Sequence, residues 1–61
     1  MILRGFYGIV DSGDVDHATT LVRAGACAIQ LRMKRATASE ILAAARALRG
    51  AITTVPFVVN D

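Results

Sequence analysis

Hydrophobic and polar residues along this chain form five blocks, which predict alternating strands and helices. Runs rich in β-branched, aromatic and aliphatic residues predict strands over about 5–11, 26–32 and 56–60. Between them, apolar residues recur at helical spacing over about 15–24 and 38–49. The predicted order is therefore β-α-β-α-β. Short connections of this kind require right-handed crossovers and a parallel sheet.

Local signals mark the ends of both predicted helices. Asp14 is placed to cap the first helix, and Gly25 ends it as a C-terminal glycine does. Thr37 and Glu40 have the spacing of a capping box at the start of the second helix, and Gly50 is expected to stop it. The apolar face of the second helix is predicted to consist of Ile41, Leu42, Ala45 and Leu48.

The composition indicates an ordered chain that is too apolar for its length. Of its 61 residues, 54% are hydrophobic and 20% are charged, which is the reverse of a disordered segment. A domain this small buries little surface, so we expect it to need a partner surface, either a second copy or a missing continuation of the chain. Cys27 is the single cysteine, which excludes an internal disulfide and favours a reducing compartment; we expect it to be a small buried residue in the second strand.

Charge and hydropathy exclude several classes of function. No apolar run is long enough to span a membrane, and the first residues lack the features of a signal peptide, so we expect a cytoplasmic protein and no membrane partner. The net charge is +2, and the only tight basic cluster is Arg32, Lys34 and Arg35. With three aromatic residues in the chain, this is too little for a nucleic-acid surface, and a single phosphate or pyrophosphate fits better.

Polar residues gather where each predicted strand ends, which is where parallel α/β proteins bind their ligands. Asp11, Ser12 and Gly13 follow the first strand, although Asp11 also suits a loop cap, which we favour. Gln30, Arg32 and Lys34 follow the second strand, and Asn60 and Asp61 follow the third.

The second group is the most informative. Strand alternation directs Gln30, Arg32 and Lys34 to one side and Leu31 to the other. If Leu31 faces the helices, the three polar residues face the interior or the mouth of a barrel. An amide, a guanidinium and an ammonium would together bind pyrophosphate, but a solvated strand end explains them equally well.

The other polar residues have ordinary explanations beside functional ones. Asp61 is a carboxylate that suits Mg²⁺, and Asn60 adds an amide, yet Asn-Asp after a strand is also a common turn. His17 is interpreted as a surface residue on the first helix.

Three blocks of this sequence together resemble the start of thiamine-phosphate synthases. They are Phe6–Ser12, Gly25–Lys34 with its Gln-Leu-Arg-x-Lys core, and Val55–Asp61 with Pro-Phe-x-x-Asn-Asp. The blocks occur in the family's order and cover nearly the whole chain. Met33 stands where an acidic residue is frequent in that family.

The resemblance implies a (β/α)₈ TIM barrel, of which these 61 residues would be the incomplete N-terminal part. The family joins hydroxymethylpyrimidine diphosphate to thiazole phosphate and releases pyrophosphate, with Mg²⁺ as cofactor. By this pattern Gln30, Arg32, Lys34 and Asn60 would contact the pyrimidine diphosphate and Asp61 would bind Mg²⁺, while no residue is assigned to catalysis.

Other interpretations stay open at this point. The thiazole tautomerases share the barrel and a similar basic block, and a different phosphate-binding barrel is also compatible. A third possibility is a non-catalytic β-α-β-α-β fragment that associates with itself. In each case the isolated chain is expected to be inactive as a synthase and to need either the rest of a barrel or a second copy.

Overall fold

The computed structural model describes residues 5–60, which form a three-stranded parallel sheet with two helices. The elements in chain order are β1 (Tyr7–Val10), α1 (Val15–Arg23), β2 (Ala28–Leu31), α2 (Ala38–Ala51) and β3 (Phe57–Val59). The sheet order is β1-β2-β3, with both neighbouring pairs parallel. The predicted β-α-β-α-β order and the parallel sheet are therefore confirmed.

The strands are shorter than predicted at both ends. The second strand was expected over 26–32, but β2 covers only Ala28–Leu31. Cys27 precedes it, where its N–H donates to the carbonyl of Phe6 at 2.9 Å. The prediction that Cys27 is buried in a strand is wrong, because its side chain is exposed.

Helix α1 begins and ends as its sequence predicts. The Asp14 carboxylate accepts a hydrogen bond from the N–H of His17 at 3.1 Å, and His17 itself is exposed. At the other end, Gly25 has φ of +112°, and its N–H donates to the carbonyl of Val22. The next N–H donates to the carbonyl of Leu21, which completes a Schellman motif.

Helix α2 begins as predicted but ends differently. Thr37 accepts from the N–H of Glu40 at 3.2 Å, and the Glu40 carboxylate accepts from the N–H of Thr37 at 2.8 Å. This is the expected capping box. The helix then continues through Gly50 to Ala51, so the prediction that Gly50 stops it is wrong. The chain leaves the helix at Ile52, which turns into the core and is 7% exposed.

The buried face of α2 also differs by one position. Leu42 is 52% exposed, whereas Ala44 is buried. Ala44 and Leu48 are buried in the core and Ala45 packs against it, while the half-buried Ile41 lies on the same side of the helix by its spacing. These follow the i, i+3, i+4, i+7 spacing of one helical face, and Leu42 falls outside it.

Replacing Thr37 by alanine should destabilise the fold by about 1 kcal/mol, because the N–H of Glu40 then loses its side-chain acceptor. The free energy of unfolding by urea, followed by circular dichroism, measures this. Ser39→Ala is the matched control, since Ser39 is an exposed hydroxyl in the same first turn. An equal loss in both variants would contradict the role of the cap.

The core lies on one face of the sheet, between the strands and both helices. Val10, Ile29 and Leu31 are buried there with Ala18 of α1 and Leu48 of α2. All five belong to one cluster, so both helices cover the same face. Leu31 therefore faces the helices, as the alternation argument required.

The opposite face of the sheet carries none of the described helices, and we call it the open face. It consists of Tyr7, Ile9, Ala28, Gln30 and Val58, which alternate with the buried strand residues. Tyr7 is 68% exposed, Ile9 56% and Val58 47%. Among residues 5–60, only one face of the sheet is covered by helices.

Neither α1 nor α2 has the length and apolar character needed to cross a membrane, and they are the helices that residues 5–60 form.

Candidate functional site

The carboxyl ends of the three strands lie at the same end of the sheet, as expected for parallel strands. The N–H of Arg32 donates to the carbonyl of Val10 at 2.8 Å, and the N–H of Asn60 donates to the carbonyl of Leu31 at 2.8 Å. These bonds extend the strand pairing by one step beyond the last paired row. Arg32 and Asn60 therefore lie on neighbouring strand ends, about 4.8 Å apart along the hydrogen-bonding direction.

Gln30 lies further back on the same strand as Arg32. It is paired between Ile9 and Val58 in the middle row of the open face. Gln30 and Arg32 are two positions apart along the strand, which places their backbones about 6.6 Å apart. Gln30 is half-buried and borders a shallow cavity of about 250 Å³ that Tyr7 also lines. Its amide is the polar group within an otherwise mainly apolar surface.

Lys34 lies apart from Gln30, contrary to the expectation that alternation directs both to one side. Because β2 ends at Leu31, the two-residue period does not extend to Lys34, which lies in a turn. It lines a second, wider concave surface of about 720 Å³, against α2. Gln30 and Lys34 therefore border two different cavities.

The wider concave surface contains charged residues that the sequence argument did not connect. Asp11 and Arg35 line it together with Lys34 and Glu40, above a floor of α2 alanines. Glu40 is already engaged in the capping box. The adjacency of Lys34 and Arg35 after the strand was the available signal, but only the fold shows that Asp11 of the first loop lies near them.

The loop after β1 is held by residues other than Asp11. The Ser12 hydroxyl accepts from the N–H of Asp14 at 3.2 Å, and Asp14 caps the helix. Asp11 is exposed, and the loop-cap role favoured for it is filled by Ser12 and Asp14.

Acidic ligands for a metal are sparse in the described part of the chain. Within residues 5–60 no group of three His, Cys, Asp or Glu side chains is placed to hold a metal ion. Asp61, the residue expected to bind Mg²⁺, lies outside the described residues, next to Asn60. Mg²⁺ usually takes one or two carboxylates and completes its shell with phosphate oxygens and water. By sequence alone, a carboxylate adjacent to an amide fits that chemistry.

The arrangement at the strand ends suits an oxyanion. Arg32 is exposed and provides a planar fork of donors that matches phosphate oxygens. Asn60 provides amide donors on the next strand, and Gln30 provides them two rows further back. A group with negative oxygens at two centres, such as a diphosphate, could contact both rows. At the amino ends of the strands, where Phe6, Cys27 and Pro56 lie, residues 5–60 offer no comparable set of donors.

Comparison of this chain with protein-family models, with curated proteins and with solved structures gave no match. A functional assignment therefore depends on the residues and their placement.

Proposed function

We propose that this chain provides the diphosphate-binding strands of a (β/α)₈ barrel with thiamine-phosphate synthase activity. Gln30, Arg32, Lys34 and Asn60 contact the diphosphate of hydroxymethylpyrimidine diphosphate, and Asp61 binds Mg²⁺. The proposal rests on the three sequence blocks described above. The observation that carries it is the position of Arg32 and Asn60 on neighbouring strand ends.

The reaction explains why cationic donors belong at this position. The bond between the pyrimidine methylene carbon and the diphosphate oxygen breaks, and its electron pair leaves with the diphosphate. The methylene carbon, with carbocation character, then bonds to the thiazole. Negative charge grows on the leaving oxygen, so donors fixed around the diphosphate stabilise the transition state more than the ground state.

Mg²⁺, when bound, would neutralise part of the diphosphate charge as a Lewis acid. The chain's own residues would orient the leaving group. Arg32 would bind two phosphate oxygens through its fork, and Asn60 and Gln30 would donate to others. Lys34 would reach the diphosphate from the turn, as a point charge on a flexible stem.

The parallel β-α-β-α-β order supports a barrel, because barrels repeat this unit and bind ligands at the carboxyl ends of their strands. The open face supports it as well. In a closed barrel the face opposite the helices lines the interior, and Gln30 lies in the middle of that face.

Replacing Arg32 by alanine should weaken pyrophosphate binding by roughly 10- to 100-fold, the equivalent of a charge-assisted hydrogen bond of about 1.5 to 3 kcal/mol. Titration calorimetry of the 61-residue chain with pyrophosphate and Mg²⁺ measures this. Arg49→Ala is the matched control, since Arg49 is an exposed cation in the last turn of α2. It should change the affinity less than about twofold.

An equal loss in both variants would mean that pyrophosphate binding depends on net charge alone, and the proposal would fail.

The proposal also assigns binding, and not turnover, to this chain. Residues 5–60 leave the open face in contact with solvent, whereas catalysis on a diphosphate needs a site that excludes water. Thiamine phosphate formed by the pure chain would overturn that part.

A further inference from the structure

Asp11 lies beside the cation that the proposed function assigns to the diphosphate. The N–H of Arg32 donates to the carbonyl of Val10 at 2.8 Å, and Asp11 directly follows that carbonyl along the chain. The register pairs Val10 with Leu31, and one position further it sets Asp11 opposite Arg32. Neighbouring strands lie about 4.8 Å apart. A carboxylate after β1 and a guanidinium after β2 are therefore neighbours at the carboxyl ends of the strands.

The same carboxylate shares a surface with the second cation of the proposed site. Asp11 lines the wider concave surface together with Lys34. Glu40 lines this surface as well, but its carboxylate is engaged in the capping box of α2. Asp11 is exposed, and the side chains that hold its loop are those of Ser12 and Asp14. A negative charge that the caps do not use therefore borders both cations assigned to the diphosphate.

A carboxylate is an unfavourable neighbour for a bare diphosphate, because like charges a few ångströms apart repel each other even in water. Mg²⁺ reverses the sign of this interaction, since the positive charge of the metal attracts both the carboxylate and the phosphate oxygens. From the position of Asp11 we propose that this residue makes the diphosphate site selective for the magnesium complex over the metal-free anion. This inference rests on the proposed function, because it concerns the same site.

Asp11 acts through its charge and needs no direct bond to the metal. Mg²⁺ is usually bound by one or two carboxylates and keeps several of its waters, through which a further carboxylate can attract it. Asp61 is the residue proposed as the direct ligand. Asp11 therefore determines which form of the ligand binds, and it is not a catalytic residue.

Titration calorimetry with pyrophosphate tests the selectivity, once with Mg²⁺ and once with a chelator, in the parent chain and in Asp11→Asn. The quantity compared is the ratio of the dissociation constant without Mg²⁺ to that with Mg²⁺. Asparagine keeps the size of the side chain and removes its charge. Metal-free binding should become about five- to tenfold tighter, the effect of one unit charge at close range in water. Binding with Mg²⁺ should not tighten, so the ratio should fall by about the same factor.

Asp16→Asn is the matched control, because Asp16 is an exposed carboxylate in the first turn of α1 and its loss changes the net charge equally. Its ratio should stay within about twofold of the parent's, since exposed charges outside the site have small effects. Asp11→Glu keeps the charge and should keep the ratio of the parent. Asp11→Ser serves if circular dichroism shows that Asp11→Asn is unfolded, because serine is uncharged and suits a loop.

Three results would overturn the selectivity. One is a parent chain that binds pyrophosphate equally well with and without Mg²⁺. Another is an equal ratio in Asp11→Asn and Asp16→Asn, which would mean that net charge alone decides. The third is weaker binding by Asp11→Asn both with and without Mg²⁺, which would mean that Asp11 positions Arg32. The proposed function fails separately, if Arg32→Ala and Arg49→Ala lose the same affinity.

Discussion

Replacing Ile29 by alanine is expected to leave a large fraction of the chain unfolded at 25 °C. Ile29 is fully buried in the central strand and is one of the largest side chains of the core. Removing its methyl and methylene groups should cost about 2 to 5 kcal/mol. A domain of 61 residues is stabilised by only about 3 to 9 kcal/mol in total.

The loss should be near the upper end of that range, because the site has few ways to collapse. A Cβ atom added to Gly8 would lie only 2.9 Å from the Cδ1 atom of Ile29, so Ile29 packs directly against the backbone of β1. Leu21 of α1 packs against the same point. A shortened side chain would leave a cavity between β1, β2 and α1, since neighbouring side chains relax only partly.

Urea unfolding followed by circular dichroism measures the change, at several protein concentrations so that self-association is accounted for. Leu42→Ala is the control, since this substitution removes the same number of carbon atoms from an exposed position. It should cost less than about 1 kcal/mol. An Ile29→Ala chain that unfolds at the same urea concentration as the parent would contradict the assignment of the core.

The features predicted correctly from the sequence are those with local causes. The caps of α1 and α2 depend on Asp14, Thr37 and Glu40, which act within one helical turn. The order of elements follows from periodicity in each segment, and the parallel sheet follows from that order. These signals need no knowledge of distant contacts.

The features predicted wrongly depend on contacts between distant segments. Hydrophobicity ranks Leu42 above Ala44, yet Ala44 faces the core because the loop at Gly13 lies directly against it. Gly50 is typical of the residue that ends a helix, but α2 continues to Ala51 and ends where Ile52 turns into the core. A hydrophobic pattern based on large apolar side chains does not predict which small residues are buried at a close contact.

The candidate site divides in the same way. That Arg32 and Asn60 would lie at one edge followed from the parallel order alone. The separation of Lys34 from Gln30 did not, because it depends on where β2 ends. That end is set by pairing with the four-residue β1. The function proposed for these residues stays a prediction.

Replacing Gly13 by alanine should destabilise the fold by about 1 to 3 kcal/mol, the usual range for overpacking a tight contact. A Cβ atom at position 13 would lie 3.0 Å from the Cα atom and 3.2 Å from the Cβ atom of Ala44. The first of these is backbone in the middle of α2, so no side chain can rotate away. The helix or the loop must shift, which also widens the concave surface that Lys34 lines.

Gly50→Ala is the matched change, and its effect should have the opposite sign. Gly50 lies within α2, and a Cβ atom there would meet nothing within 4 Å. Alanine should stabilise the helix by about 0.5 to 1 kcal/mol.

Both variants lose the same backbone freedom in the unfolded chain, so that contribution cancels when the two are compared. The difference in unfolding free energy between Gly50→Ala and Gly13→Ala then reports the contact with Ala44 together with the helical preference at position 50. If Gly13→Ala were as stable as Gly50→Ala, the close approach of the first loop to α2 would be wrong.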